Sequence, residues 1–149
     1  MVEFSNLYEI LLKQYDKITE IKMQYLLLLQ QLTSVSEITN EQFFDHVKKI
    51  NAMGKIVIGI ENDIIVCSGT VIIEPKIIRG ARSVAHIEDI VVLETARKKG
   101  LAKEVLEHLK TFSIENNCYK IILDCEETLI PFYEKCGFSQ KGVQMAEYF

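Results

Sequence analysis

Cysteine, histidine and long apolar runs are all sparse in this chain, and each shortage excludes a class of protein. The cysteines number four and form neither a CxxC zinc pair nor a dense disulfide framework. We therefore expect free, buried thiols in a reducing compartment such as the cytoplasm. The histidines are scattered at His46, His86 and His108. Because they do not cluster, we expect no metal site and no catalytic triad.

Membrane insertion and nucleic-acid binding are also disfavoured. The apolar run at residues 26–29 is far shorter than the roughly 20 residues that cross a bilayer. The N-terminus lacks a basic start, an apolar core and a small-residue cleavage site, so we expect no signal peptide. A net charge of -4 argues against nucleic acid as a partner, because phosphate backbones bind positively charged surfaces.

Length and composition favour one globular domain over residues 1–149. A chain of 149 residues can bury about two thirds of the surface that its unfolded form exposes. Its hydrophobic content of 48% and charged content of 26% are typical of a globular protein.

Helical patterns dominate the first third of the chain. Residues 7–12 fit a first strand, although their pattern is equally compatible with a helix. From Ile18 to Leu32, apolar residues recur every three or four positions, which predicts a helix buried along one face. A capping box of Thr39 and Gln42 begins a second helix, which Gly54 ends.

The β-branched runs that follow predict a hairpin and a third strand. Residues 55–60 and 64–73 flank a polar turn and predict an antiparallel pair. Residues 74–83 contain Pro75 and Gly80 and predict a loop. Residues 84–93 predict a strand that is buried on both faces in its second half.

The last third predicts a strand–helix–strand step. An amphipathic helix after Gly100 leads to a strand at residues 119–124, which implies a parallel, right-handed crossover with the strand at 84–93. A short helix is predicted at residues 130–136, and extended chain at 138–149.

The segment at residues 86–102 combines a strand, a basic turn and the start of a helix. Free N–H groups and the positive end of the helix dipole favour a polyanion at such a turn. Four cations strengthen this preference: Arg97, Lys98, Lys99 and Lys103. Pyrophosphate is the obvious candidate ligand.

Three motifs carry a resemblance to a known family. R-K-K-G-L-A at residues 97–102 resembles the R/Q-x-x-G-x-G/A signature of the GNAT acetyltransferase superfamily. With H-I-E-D-I-V-V just before it, C-Y-K-I-I-L-D-C at 118–125 and F-Y-E-K-C-G-F at 132–138, the chain resembles the eukaryotic glucosamine 6-phosphate N-acetyltransferases from about Leu32 to its end.

The resemblance implies a fold, an activity and an assembly. The expected fold is the α/β GNAT acyltransferase fold, a mixed, mostly antiparallel sheet with a central parallel strand pair, flanked by helices. The expected reaction transfers acetyl from acetyl-coenzyme A, without a metal, to the 2-amino group of glucosamine 6-phosphate. Its product, N-acetylglucosamine 6-phosphate, feeds UDP-N-acetylglucosamine biosynthesis. A homodimer is implied, in which C-terminal strands and pocket residues of both subunits complete each site.

The resemblance also assigns roles to residues of the reaction centre. Tyr133 protonates or stabilises the departing thiolate, and Asp124 holds the sugar amine or helps to deprotonate it. Glu88, Asp89 and Ile90 line the sugar pocket. Independently, adjacent acids in a strand point to opposite faces, so one of this pair is expected to face a polar site.

Binding residues follow in the same way. Backbone groups of Ile90, Val91 and Val92 pair with the pantetheine arm. The pyrophosphate is held by Arg97, Lys98, Lys99, Gly100, Leu101, Ala102 and Lys103. The sugar phosphate is assigned to Thr33, Lys76, Ile77, Ile78, Arg79, Tyr119 and Lys120. Two positions depart from the family pattern: Leu129 stands where many relatives have an asparagine, and Lys98 where glycine is common.

Two other functions remain open on the sequence. One is a GNAT enzyme that acetylates another small amine or a lysine side chain, although the cations Lys76, Arg79 and Lys120 favour an anionic acceptor. The other is a non-catalytic module that binds acyl-coenzyme A. The presence of Tyr133 together with two acids argues against that module.

Overall fold

A single five-stranded sheet forms the centre of the structure, a computed structural model that describes residues 1–149. The strands are β1 (Glu3–Asn6), β2 (Gly54–Glu61), β3 (Ile64–Pro75), β4 (Ser83–Val92) and β5 (Cys118–Ile122). They lie side by side in chain order. All neighbouring pairs are antiparallel except β4 and β5, which are parallel.

The sheet is accompanied by six helical segments, of which the longer ones pack on its two faces. They are α1 (Leu7–Lys13), α2 (Ile18–Leu29), α3 (Asn40–Met53), the short turn α4 (Ile78–Ala81), α5 (Leu101–Glu115) and α6 (Ile130–Lys135). Helix α5 covers one face, where Val105 and Leu109 pack with Val71 and Ile87. Helices α1 to α3 cover the other, where Leu28 and Phe43 pack with Ile58. Burying each such aliphatic side chain contributes about 1.5–3 kcal/mol.

The ambiguous segment near the N-terminus is a helix, so its interpretation as a strand is wrong. Leu7 and Leu11, four positions apart, are both fully buried, as one face of a helix requires. The Asn6 side chain caps the helix by accepting a hydrogen bond from the Tyr8 N–H. Strand β1 lies just before it and pairs with β2.

Most other predicted elements are confirmed. Thr39 and Gln42 form the predicted capping box of α3, and β2 and β3 form the predicted hairpin. The mixed α/β sheet flanked by helices and the parallel crossover through α5 are confirmed as well. In the single chain β5 is an edge strand, so the parallel pair lies at one end of the sheet and not at its centre. No helix is long and apolar enough to cross a membrane.

The predicted loop at residues 74–83 is shorter than expected. Strand β3 continues to Pro75, and the connection to β4 contains the turn α4. Arg79 and Gly80 both have positive φ there, at 58° and 68°. The turn therefore reverses the chain tightly and leaves Ile77 and Ile78 exposed.

A β-bulge interrupts β4 and overturns two expectations about it. The register passes from Thr70 opposite Glu88 to Ser68 opposite Val91, so Gly69 faces two residues of β4. One of them, Asp89, has a φ of 52°. The side chains no longer alternate, and the buried part of β4 is mainly its first half, not the second.

Candidate active site

A gap opens between β4 and β5 beyond the point where they pair. Pairing ends at His86 and Ile122. Two adjoining pockets lie near the ends of these strands. The basic pocket, with a volume of about 350 Å³, is lined by Ile90, Val91, Val92, Arg97, Lys98, Gly100, Leu101, Ala102, Lys103, Leu129, Phe132 and Tyr133. The acidic pocket, of about 160 Å³, is lined by Leu32, Ile87, Glu88, Asp89, Ile90, Leu123, Asp124, Cys125, Leu129 and Tyr133.

The start of α5 forms the polar wall of the basic pocket. Gly100, the residue before the helix, has a φ of 77° and no side chain that could cap the first turn. Nothing lies within 4 Å of the position that a Cβ would take at this glycine. The first N–H groups of α5 are thus open to an anion, and the helix dipole attracts negative charge.

The four predicted cations of the turn take different positions. Lys98 and Lys103 line the basic pocket, as does Arg97, whose Nε also donates to the Val92 carbonyl at 3.3 Å. Lys99 does not line it; its Nζ lies 3.5 Å from a carboxylate oxygen of Glu61. Three of the four cations therefore share one pocket wall.

Three carboxyl groups converge on the acidic pocket. Glu88 and Asp89 both line it, because the bulge removes the alternation expected of adjacent residues. Asp124 reaches it from the chain that follows β5. Burial raises the pKa of Glu88, and the charges of Asp89 and Asp124 raise it further, while His86 lowers it. Carboxylates that line the same pocket favour a cationic ligand such as an ammonium group.

Tyr133 stands where the two pockets meet, together with Ile90 and Leu129. Its ring packs edge-on against Phe132 and Phe138, with centroids 5.0 and 5.9 Å away. Only 9% of the residue is exposed. Burial raises the pKa of its hydroxyl, and the nearby thiols of Cys125 and Cys136 add to this effect. A tyrosine hydroxyl is protonated at neutral pH even without this shift, so Tyr133 can act as a hydrogen-bond donor.

Residues 4–138 match the model of the acetyltransferase (GNAT) family. The chain belongs to this family. Among its relatives, the Dictyostelium discoideum glucosamine 6-phosphate N-acetyltransferase 1 is 44% identical over 126 residues, which cover 80% of this chain and 79% of the relative. The Arabidopsis thaliana glucosamine 6-phosphate N-acetyltransferase is 38% identical over 138 residues, which cover 89% and 93% of the two chains.

Solved structures of GNAT proteins support the same placement. The crystal structure of glucosamine-6-phosphate N-acetyltransferase from Arabidopsis thaliana superimposes with a TM-score of 0.88 at 34% identity, covering 100% of this chain and 99% of that one. A Trypanosoma brucei acetyltransferase superimposes with a TM-score of 0.87 at 30% identity, covering both chains completely.

The residues assigned to the sugar phosphate line neither pocket of this GNAT chain. They cluster instead around α4 and the start of β5, where the guanidinium of Arg79 and the Nζ of Lys120 each lie 5.6 Å from the ring centroid of Tyr119. Nearby, Lys76 pairs with Glu74 at 3.1 Å. Thr33 is exposed just beyond α2. Thr33 directly follows Leu32, which lines the acidic pocket, whereas Arg79, Tyr119 and Lys120 line no pocket of the single chain. The role of all these residues stays a prediction.

Sequence reasoning missed several residues that line the pockets. Leu32, Ile87, Leu123 and Cys125 line the acidic pocket, and Phe132 lines the basic one. Cys125 and Phe132 belong to the quoted motifs, so the motifs themselves carried a signal. Leu32 carried no such signal. It is the last residue of an apolar helical stripe, which predicts burial, but 45% of it is exposed.

Proposed function

We propose that this GNAT chain transfers acetyl from acetyl-coenzyme A to the 2-amino group of glucosamine 6-phosphate. The observation that carries the proposal is the position of Tyr133 at the junction of a basic and an acidic pocket. A thioester lying in the first pocket and an amine in the second would meet beside its hydroxyl. The relatives from Dictyostelium and Arabidopsis are glucosamine 6-phosphate N-acetyltransferases, which supports the sugar phosphate as acceptor.

The basic pocket suits acetyl-coenzyme A. The open first turn of α5, with Lys98 and Lys103 beside it, binds the pyrophosphate. The gap beyond His86 leaves the inner edge of β4 without a partner strand, and the pantetheine arm pairs with its backbone from Ile90 to Val92. The apolar side chains of Leu129 and Phe132 then enclose the thioester.

The acidic pocket suits an aminosugar that arrives as an ammonium ion. Glu88, Asp89 and Asp124 attract the charged amine, and Asp124 or a water beside it removes the proton. The neutral nitrogen attacks the thioester carbonyl, and the C–S bond then breaks. The departing thiolate takes the proton of the Tyr133 hydroxyl, and the proton that the newly acylated nitrogen releases restores this hydroxyl. The products are free coenzyme A and the amide.

A homodimer supplies the cations that the acidic pocket lacks. Arg79 and Lys120, which flank the Tyr119 ring, do not line the acidic pocket of their own chain, so they act in the site of the second subunit, where the Arg79 guanidinium binds the sugar phosphate. The C-terminal segment supports such an assembly, because Val143, Met145 and Tyr148 are each more than 90% exposed. Apolar residues left this exposed fit a strand that pairs with a partner. The enzyme acts in the cytoplasm and supplies UDP-N-acetylglucosamine biosynthesis.

A thiol-release assay tests the acceptor. The chain is incubated with acetyl-coenzyme A and with glucosamine 6-phosphate, glucosamine, a polyamine or a lysine peptide. We expect the phosphorylated sugar to be preferred over glucosamine by about 10- to 150-fold, the value of one charge-assisted contact.

Other outcomes would point to the competing functions. Equal turnover of glucosamine, or a preference for the polyamine or the peptide, would indicate an acetyltransferase of another amine. Tight binding of acetyl-coenzyme A without turnover of any amine would indicate a non-catalytic module.

A further inference from the structure

We propose that Gln31 is a positioning residue that fixes the two substrate pockets relative to each other. This inference rests on the proposed function, because it concerns the same pair of substrates. Gln31 lies just beyond the last residue of α2, and its side chain reaches across to the end of β4. The two segments that it joins belong to different pockets.

The contacts of the Gln31 amide define this link. Its Oε1 accepts a hydrogen bond from the Glu94 N–H at 2.6 Å, and its Nε2 donates to the Val92 carbonyl at 3.4 Å. The same Nε2 lies 3.4 Å from the Leu28 carbonyl within α2. A single planar amide thus satisfies backbone groups of both segments at once.

Each end of the link borders a substrate. Leu32, the next residue after Gln31, lines the acidic pocket. Val92 lines the basic pocket and ends the stretch of β4 that we assign to pantetheine. A shift of α2 against β4 would therefore move the wall of the amine site relative to the thioester site. Small misplacements of this kind are costly, since acyl transfer needs the reacting atoms about 3–3.5 Å apart.

The other contacts at this strand end do not replace Gln31. Arg97 Nε shares the Val92 carbonyl at 3.3 Å, and the Leu93 N–H donates to the Val66 carbonyl at 2.7 Å. Arg97 belongs to the turn and contacts the end of β4 from the side of the basic pocket. Val66 belongs to the neighbouring strand β3 and contacts it from within the sheet. The Gln31 amide is the hydrogen-bonded link from the end of α2.

The test compares Gln31→Ala with the matched control Gln30→Ala. Gln30 is the neighbouring exposed glutamine and makes no side-chain contact of this kind. Affinity for acetyl-coenzyme A is measured by calorimetry, and KM and kcat for both substrates by thiol release. For Gln31→Ala we expect a lower kcat, weaker acetyl-coenzyme A binding and a higher KM for the acceptor, each by about threefold to tenfold, the worth of one or two hydrogen bonds. The fall in kcat reports the misplaced reacting atoms. Gln30→Ala leaves all three unchanged.

Gln31→Glu keeps the proposal testable if the alanine variant folds poorly. Its carboxylate still accepts from the Glu94 N–H, but its second oxygen faces the carbonyls of Val92 and Leu28 and repels them, so its losses should be at least as large as those of Gln31→Ala. Unchanged constants in a folded Gln31→Ala protein, or equal losses in Gln30→Ala, would overturn the role. The calorimetric arm needs no acceptor, so failure of the sugar specificity and failure of the link give different results.

Discussion

The side chain of Ile90 lies directly over Gly69, so that a Cβ at residue 69 would stand 2.6 Å from Ile90 Cδ1. Val105 of α5 is equally close, at 2.5 Å from the same point. Gly69 is also the residue that faces the bulge of β4. Because Gly69 has no side chain, the Ile90 side chain can lie over the sheet at this point. Ile90 thereby lines both pockets.

Gly69→Ala should therefore harm both stability and acetyl-coenzyme A binding. Overpacking of this kind costs about 1–3 kcal/mol in the free energy of unfolding. Ile90→Val removes the Cδ1 atom, so we expect the double variant to lose less stability than the two single variants added together. Chemical denaturation of the four proteins measures the coupling. If the two losses of stability were strictly additive, the side chains at positions 69 and 90 would not interact.

Gly100 offers a test of the pyrophosphate site that separates strain from ligand contact. An alanine there pays for its positive φ, about 1–2 kcal/mol, but meets no protein atom. Its methyl group would instead point into the space beside the first turn of α5. Gly80→Ala is the matched control for cofactor binding, because Gly80 also has a positive φ, meets nothing within 4 Å of its Cβ position and does not line the basic pocket. We expect calorimetry to show weaker acetyl-coenzyme A binding for the first variant alone. Normal affinity in Gly100→Ala would place the pyrophosphate elsewhere.

Arg79 and Tyr133 should complement each other across a dimer. A purified heterodimer of an Arg79→Ala chain and a Tyr133→Phe chain contains one intact site if Arg79 serves the partner, and about half of the wild-type activity is expected. If Arg79 serves its own chain, both sites carry a defect and the heterodimer is as slow as the two variant homodimers. Initial rates at low sugar phosphate distinguish the cases.

The sequence predicted the local features of this site better than its assembly. The turn at residues 97–102 and the Tyr133 motif are continuous segments, and their chemistry is readable from charge, glycine and aromatic positions. Strand β4 was harder, because the bulge at Asp89 depends on Gly69 in another strand. The alternation of residues within β4 cannot reveal that the facing residue in β3 lacks a side chain.

Residues 7–12 show a second limit of sequence reasoning. Their short apolar pattern fits both strand and helix, and the choice is decided by packing of Leu7 and Leu11 against α3 and β2. Arg79 shows a third. The resemblance predicts that it binds phosphate, but only the folded chain shows that it lines neither pocket.

Glu88→Gln should stabilise the folded protein at neutral pH and reduce its turnover. The raised pKa of Glu88 means that the folded state binds its proton more readily than the unfolded state does. Stability from this group is therefore lost as pH rises from about 4, the ordinary carboxyl value, through the raised pKa. Glutamine cannot ionise, so the variant should melt at a higher temperature than wild type at pH 7, with the difference vanishing toward pH 4. A difference in melting temperature that does not change with pH would mean that packing, not ionisation, causes the effect. Turnover should fall, because one attraction for the ammonium is lost.

Tyr133→Phe separates an enzyme from a binding module. The phenylalanine ring keeps the contacts with Phe132 and Phe138, so stability and acetyl-coenzyme A affinity should change little. The native hydroxyl is protonated at neutral pH, because even the ordinary tyrosine pKa lies well above 7 and burial raises it further, so it can donate to the developing thiolate. A thiolate is a good leaving group and can depart without full protonation, so we expect kcat to fall by about 10²-fold, the lower end of general acid catalysis. The loss should appear in kcat at saturating substrates, since the contact strengthens only as charge develops on sulfur. Turnover within about twofold of wild type, with chemistry shown to be rate-limiting, would remove Tyr133 from the mechanism and leave it a packing residue between two aromatic rings.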